Sequence, residues 1–281
     1  MKNFKAMLKA PVALAATCAL ALGLTACGGA PATEGTGSAA GSATTDQATG
    51  SLTMTDGTIT FATSPDYPPF ENLEDGEYVG LDMDLGRAIA EELGLECEYT
   101  NIDFDGIIPA IVAGGQADAG LSGISITPER EDQVDFSEPY YVDNQAVAVM
   151  ADNADITEDN AAEALNQEGV KIAVQSGSTG ESFAAENFPN AELVSFPNFT
   201  DAFAAVNSGQ AVAVCGNSAV VSQMLSGAYT DLHTVYTSAT GEEYAIAVSK
   251  DNPELLAKIN DAIANLQEDG TLDELIAKNM G

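Results

Sequence analysis

Short apolar segments alternate with amphipathic segments from residue 57 to the end of the chain, a pattern typical of α/β proteins. A first strand is predicted over residues 58–63. A helix is predicted over 82–93, where Asp82 can cap the N-terminus, the apolar side chains share one face and Gly94 ends the helix. The further predicted strands are 119–126, 170–175, 211–214 and 244–248, and the further predicted helices are 105–113, a short one from Pro128, one from Glu181, 201–207, 253–267 and 272–279.

The first 26 residues have the features of a signal peptide. The start is basic, and residues 11–26 are apolar and end in small residues. That run is shorter than the roughly 20 residues of a membrane-spanning helix. Leu24-Thr25-Ala26-Cys27 resembles the lipobox of bacterial lipoproteins, which implies cleavage before Cys27 and a lipid on its sulfur. The alternative is an ordinary signal peptide with a cysteine near its cleavage site.

Residues 27–56 are rich in Gly, Ala, Ser and Thr and show no apolar period, so they are predicted to form a lipidated flexible tether. Its r.m.s. reach would be about 30 Å. The net charge of the chain is −34, and it becomes −37 once residues 1–26, which hold three lysines and no acid, are removed. Such a surface repels nucleic acid and excludes it as a partner.

Cysteine and histidine usage excludes several kinds of site. Cys18 is removed with the signal peptide and Cys27 would carry the lipid, which leaves Cys97 and Cys215. We predict two separate buried thiols, with a disulfide between them as the alternative. His233 is the only histidine, so a zinc site or a histidine-based catalytic triad is excluded. We therefore expect no metal, no cofactor and no catalytic residue.

Two segments have the composition of an anion site. Arg130, one of two arginines, follows a glycine and hydroxyl residues at 123–127, and a guanidinium can hold one carboxylate through two N–H groups. The alternative is a surface ion pair with a neighbouring acid. Residues 176–180, Ser-Gly-Ser-Thr-Gly, precede a predicted helix, whose free N–H groups also suit an anion.

Three blocks carry a family resemblance. They are 64–71 (Ser-Pro-Asp-Tyr-Pro-Pro-Phe-Glu), 103–110 (Asp-Phe-Asp-Gly-Ile-Ile-Pro-Ala) and 123–141, which runs from Gly-Ile-Ser-Ile-Thr to Ser-Glu-Pro-Tyr-Tyr. They closely resemble the polar amino-acid-binding proteins of ABC importers, the family 3 extracellular solute-binding proteins. The likeness covers roughly residues 57–281.

The resemblance implies a two-lobed periplasmic-binding-protein-like fold of type II, with two hinge crossings and the ligand in the cleft between the lobes. Lobe one would comprise 57–142 plus 241–281, and lobe two 146–237. Asn144 lies at the first crossing, where relatives often have glycine, and can replace it with a left-handed backbone.

The resemblance also implies how an amino acid would be held. Arg130 would clamp the α-carboxylate, assisted by Ser125 and, from the other lobe, by Thr179. The Gly123 carbonyl would accept a hydrogen bond from the α-ammonium.

Two rings, Tyr67 and Phe104, would sandwich the ligand side chain, with core packing as the alternative. Gln175 and Cys215 would lie along the lobe-two side of the cleft without an assigned role.

Two positions depart from the family pattern. Asn217 stands where the family usually has an aspartate that pairs with the α-ammonium, and Ser64 where relatives often have aspartate. Both favour a neutral or acidic amino acid over lysine or arginine, and they leave open a ligand that lacks a normal α-ammonium. Alternatively, Asp66, Glu71 or Glu181 supplies the missing charge.

The function implied is that of a monomeric solute-binding lipoprotein, not an enzyme. It would capture an amino acid at the outer face of the cell membrane, on the extracellular or periplasmic side, and deliver it to an ABC permease and ATPase. One alternative is a cyclohexadienyl-dehydratase-like enzyme on the same fold, which needs a general acid or base in the cleft. Another is a ligand-sensing lipoprotein that serves no transporter.

Overall fold

The computed structural model describes residues 51–281. The predicted signal peptide, the lipid attachment at Cys27 and the tether up to residue 50 lie outside the described residues. The last residues assigned to the tether contact the folded chain. The Met54 N–H donates to Asp118 at 2.6 Å, and the Leu52 carbonyl accepts from Asn252 at 3.0 Å. Packing therefore begins ahead of residue 57.

Strands and helices alternate through most of the described chain, as the apolar pattern predicts. The strands are β1 (Thr58–Thr63), β2 (Asp66–Tyr67), β3 (Glu71–Glu74), β4 (Glu77–Val79), β5 (Glu96–Asn101), β6 (Ala119–Gly120), β7 (Asp135–Phe136), β8 (Tyr141–Met150), β9 (Lys171–Gln175), β10 (Glu192–Phe196), β11 (Ala213–Asn217), β12 (Leu232–Tyr244) and β13 (Ala247–Val248). The helices are α1 (Leu81–Leu93), α2 (Phe104–Ala113), α3 (Pro128–Glu131), α4 (Ala161–Leu165), α5 (Thr179–Asn187), α6 (Phe199–Asn207), α7 (Ser218–Ser226), α8 (Pro253–Glu268) and α9 (Thr271–Met280).

Two five-stranded sheets form the centres of the two lobes. In lobe one the order is β5-β1-β6-β13-β7, and in lobe two it is β10-β9-β11-β8-β12. Each sheet begins with three parallel strands and continues with antiparallel ones. A small antiparallel sheet, β2-β3-β4, is added to lobe one. The two-lobed α/β fold is confirmed, whereas the exact lobe boundaries remain a prediction.

The predicted strand over 119–126 is wrong beyond Gly120. Gly123 has a φ of 54°, so the chain leaves the extended conformation and turns there. Asp82 is wrong as a helix cap, because Gly80 occupies that position and Asp82 is buried in the first turn of α1. The turn at Gly123 and the buried Asp82 meet, as described below.

Several other boundaries and elements differ from the prediction. Strand β11 starts two residues later than predicted and continues through Asn217, and the strand predicted over 244–248 is divided between the end of β12 and β13. The elements absent from the prediction are β2, β3, β4, β5, β7, β8, β10, α4, α7 and most of β12.

Two long strands, β8 and β12, connect the lobes and pair with each other. Their ladder runs from Leu232↔Met150 to Tyr244↔Tyr141 and is interrupted between Ser238 and Glu242. The left-handed backbone predicted for Asn144 is wrong, because Asn144 lies within β8. Asp75 is the only non-glycine residue of 51–281 with a positive φ.

Cys97 and Cys215 are separate free thiols, as predicted, although only Cys215 is fully buried. Within residues 51–281, no helix has both the length and the apolar character needed to cross a membrane.

Candidate functional site

Arg130 lies on α3 and reaches across the cleft. Its Nη1 donates to the Ser125 carbonyl at 2.6 Å, and its Nη2 donates to the Gly177 carbonyl of lobe two at 3.0 Å. Thr127 caps α3 by accepting from the Arg130 N–H at 3.3 Å. Because a guanidinium has five N–H donors, others remain for a ligand.

The ring of Phe104 lies beneath this guanidinium, with the Arg130 Cζ 5.3 Å from the ring centroid. This cation–π geometry holds the side chain toward the cleft. Burial lowers the pKa of Arg130 and the nearby Glu242 carboxylate opposes that effect, so the guanidinium stays charged.

Helix α5 begins beside the guanidinium. Ser178 caps it by accepting from the Glu181 N–H at 3.1 Å, and the Glu181 carboxylate accepts from the Gly177 N–H at 2.8 Å. The N–H groups of Thr179 and Gly180 lie in the first turn of α5, so the helix itself provides no acceptor for them. A positive helix end and a guanidinium therefore meet across the cleft.

A carboxylate that the sequence analysis did not identify, that of Glu242, lies at the centre of the cleft. Its Oε2 accepts from the hydroxyls of Ser125 at 2.8 Å and Thr179 at 2.6 Å, and from the Asn217 amide at 3.1 Å. Its Oε1 accepts from the Gln145 amide at 2.7 Å. Burial raises the pKa of Glu242, but these hydrogen bonds outweigh it, and the pKa lies below its usual value.

Tyr67 and Asn217 are joined across the cleft. The Tyr67 hydroxyl accepts from the Asn217 backbone N–H at 3.3 Å and donates to the Asn217 Oδ1 at 2.7 Å. The side-chain Nδ2 of Asn217 is thereby left to donate to Glu242. The Tyr67 ring packs on Phe199, with 5.0 Å between centroids.

Beneath the site, a pair of buried acids supports the turn at Gly123. Asp82 accepts from the Gly123 N–H at 2.7 Å and from the Tyr140 hydroxyl at 2.9 Å. Burial raises the pKa of Asp82 to about 6, and burial followed by repulsion from Asp82 raises that of Glu71 further above its usual range.

The structure brings together most of the predicted site residues, namely Arg130, Ser125, Gly123, Thr179, Tyr67, Phe104 and Asn217. Gln175 and Ser64 are buried nearby, but Gln175 donates to Pro197 and Ser64 to Asp66. Tyr67 and Phe104 face different neighbours, Phe199 and Arg130, so their sandwich around a ligand remains a prediction.

None of the three acids considered for the missing charge contacts Asn217. Asp66 accepts from the N–H groups of Phe199 and Thr200 at the start of α6, and Glu181 accepts from Gly177 and Ser195. Glu71 is buried beside Ser122. The carboxylate beside Asn217 is Glu242 instead.

A cavity of about 490 Å³ lies beside Arg130, between α2 and α5. Phe104, Ile108, Arg130 and Thr179 are among the residues that line it. Its volume falls in the roughly 300–1,000 Å³ of small-ligand pockets. No cluster of three or more His, Cys, Asp or Glu side chains in the described part of the chain is arranged to hold a metal ion.

Sequence comparison places this architecture among known proteins. Residues 59–281 match the family model of the bacterial extracellular solute-binding proteins, family 3. The ABC transporter arginine-binding protein 1 of Escherichia coli (strain K12) is 34% identical over 223 residues, which cover 77% of this chain and 88% of that protein.

Solved structures agree with the family match. An ancestral arginine-binding protein bound to arginine is 38% identical, with a TM-score of 0.73 over 80% of this chain and 99% of that one. An ancestral arginine-binding protein bound to glutamine is also 38% identical, with a TM-score of 0.74 over 80% of this chain and 98% of that one. The ancestral amino acid-binding protein AncCDT-1, a precursor of cyclohexadienyl dehydratase, is 39% identical, with a TM-score of 0.74 over 80% of this chain and 96% of that one. With the fold, the family match and the relatives in agreement, this chain belongs to the family 3 bacterial extracellular solute-binding proteins and binds an amino acid for an ABC transporter.

Proposed function

We propose that the cleft holds the α-carboxylate of an amino acid between Arg130 of lobe one and the first turn of α5 in lobe two. The observation that carries this proposal is the 3.0 Å bond from Arg130 Nη2 to the Gly177 carbonyl. It sets a fixed cation beside a helix N-terminus from the opposite lobe. A carboxylate at this point is bound by both lobes, so the ligand stabilises the closed form over the open one.

The hydroxyls of Ser125 and Thr179 donate to Glu242, which leaves the guanidinium and the N–H groups of α5 for the ligand carboxylate. This division modifies the expectation that both hydroxyls bind the carboxylate directly. The same residues still surround it.

The class of ligand side chain is part of the proposal. Ser64 and Asn217 favour a neutral or acidic amino acid, whereas the Asp66 Oδ1 lies 3.1 Å from the Ser64 hydroxyl and provides negative charge there. The test panel therefore includes L-arginine and L-lysine beside L-glutamine and L-glutamate.

Thermal unfolding of the purified full-length protein against all twenty amino acids tests this function. A ligand at a thousand times its dissociation constant adds about 4 kcal/mol to the free energy of unfolding. The corresponding rise in melting temperature is roughly 8–16 °C for a domain of this size. A rise with one amino acid and none with its α-carboxamide supports the carboxylate site, and equal rises with both contradict it.

We further propose that a lipid on Cys27 holds the protein at the outer face of the membrane as a monomer beside its permease. The sequence Leu24-Thr25-Ala26-Cys27 supports this. Cys27→Ser should release the protein from the membrane fraction, and metabolic labelling with palmitate should mark the wild type alone. Labelling of the variant would contradict the proposal.

A dehydratase is the second candidate, since AncCDT-1 is described as a precursor of such an enzyme. The pKa of Glu242, the carboxylate in the cleft, is lowered, which does not suit a general acid at neutral pH. Incubation with prephenate or arogenate distinguishes the two functions, because turnover above background would contradict a binding protein without catalysis.

A further inference from the structure

Strand β12 places the carboxylate of Glu242 beside Asn217, the position where the family usually has an aspartate. Asn217 carries no charge, yet Glu242 on β12 lies 3.1 Å from its Nδ2. The Asn217 Oδ1 is occupied by the Tyr67 hydroxyl at 2.7 Å, so the amide presents a donor to the cleft. A donor attracts an anion and cannot accept from an ammonium, and Asn217 therefore serves to hold Glu242.

An unused acceptor lies in the same network. Gln145 on β8 is fully buried, and its Nε2 donates to Glu242 and, at 3.2 Å, to Thr179. Its Oε1 has no hydrogen-bond partner. Buried acceptors are rarely left without a donor, so this oxygen indicates a donor that the protein itself does not supply.

Charge balance indicates the nature of that donor. Ser125 contacts both Arg130, through its carbonyl at 2.6 Å, and Glu242, through its hydroxyl at 2.8 Å. A cation and an anion thus lie on either side of one residue, in a cleft where the low dielectric strengthens the attraction between opposite charges. A zwitterion matches this pair, with its carboxylate toward Arg130 and its ammonium toward Glu242.

We propose that Glu242, assisted by the Oε1 of Gln145, binds the α-ammonium of the ligand and thereby takes over the task of the aspartate that Asn217 replaces. This inference rests on the proposed function and adds to it the residue that distinguishes an amino acid from a deaminated acid.

Calorimetric titration of the full-length protein tests it with matched ligand pairs. The pairs are L-glutamine with glutaramic acid, and L-arginine with 5-guanidinopentanoic acid; in each pair only the α-amino group differs. Glu242→Gln should weaken binding of the amino acid roughly thirty-fold or more, the usual effect of removing one partner of a buried charge pair. It should leave the deaminated acid as tightly bound as before. Glu243→Gln, an equal change of charge at an exposed neighbour, should alter neither.

A second variant moves the charge back to the family position. Adding Asn217→Asp to Glu242→Gln should restore most of the lost affinity for the amino acid, because a carboxylate again faces the ammonium. Glu242→Asp, which keeps the charge, should retain the preference for the amino acid. Melting temperatures without ligand show whether each variant is folded.

Three results would overturn the inference while leaving the proposed function in place. Equal losses for both members of a pair would make Glu242 a structural part of the hinge. If Glu242→Gln bound both ligands more tightly, Glu242 would be competing with the ligand for the carboxylate site. If the variant bound both ligands as the wild type does, Glu242 would have no role in ligand binding. If the wild type binds none of the twenty amino acids, the proposed function fails, and this inference fails with it.

Discussion

The Tyr67 hydroxyl of lobe one donates to the Asn217 side chain of lobe two at 2.7 Å. This bond joins the two lobes, as does the bond from the Arg130 guanidinium to the Gly177 carbonyl. The two bonds, together with Asp66 at the start of α6, hold the lobes together around Glu242.

Tyr67→Phe should shift the unliganded protein toward an open form. The lost hydrogen bond is worth about 1 kcal/mol, or roughly a fivefold change in the open-to-closed ratio. Small-angle scattering should show a larger radius of gyration for the variant. Tyr99→Phe is the control, because that hydroxyl donates to Met83 within lobe one. A radius unchanged by Tyr67→Phe would contradict the role of this bond in closure.

Arg130→Ala should weaken amino-acid binding by roughly thirty-fold to several thousand-fold, the range of 2–5 kcal/mol for a broken buried charge pair. Arg130→Lys should recover little, since an ammonium lacks the planar fork. The other arginine provides the control: Arg87 binds Asp84 and the Tyr78 carbonyl at the surface of lobe one, so Arg87→Ala should leave the titration unchanged. Wild-type affinity in Arg130→Ala would remove this residue from the site.

Stability should depend on the protonation of Asp66. Burial raises the pKa of Asp66 from 3.8 to about 6, although the hydrogen bonds that the carboxylate accepts act in the opposite direction. Because the folded-state pKa is the higher one, the contribution of Asp66 to stability is fully present below pH 3.8 and is lost as the pH rises through 6. Asp66→Asn removes this titration. The free energy of unfolding of the variant minus that of the wild type should therefore rise by up to about 3 kcal/mol between pH 4 and 7. A constant difference would contradict the shift.

Alkylation should distinguish the two thiols. Burial raises the pKa of both thiols, but Cys215 is fully buried whereas Cys97 is only half-buried. Iodoacetamide at pH 8 followed by peptide mass spectrometry should mark Cys97 well before Cys215. Equal rates would show that β11 opens more readily than its pairing with β8 and β9 indicates.

Short-range patterns predicted two anion-binding segments of the site, and the family resemblance supplied the roles of the other site residues. Gly123, Ser125 and Arg130 lie within eight positions of each other, and the Ser-Gly-Ser-Thr-Gly turn directly precedes α5. In both cases the neighbouring sequence determines the local geometry.

Glu242 was missed because its partners are distant in sequence. It bonds to Ser125 across 117 positions and to Gln145 across 97, and nothing adjacent to it marks it as a site residue. Its position follows from the pairing of β8 with β12, which no periodicity in either strand predicts. The short strands β2, β3 and β4 were missed for a related reason: two to four residues are too few to show an alternating pattern.

Because β8 and β12 run side by side, the chain enters and leaves lobe two at neighbouring points. Lobe two is therefore an insertion into lobe one, and its coding segment can be replaced as a single piece. A relative's second lobe could be exchanged between Asp143 and Glu242, which face each other in the ladder. In such a chimera the host would keep Arg130 and Glu242, while the donor would contribute its own Gln145 position, α5 and α6. Selectivity within this family would then be open to recombination of whole lobes as well as to point substitution.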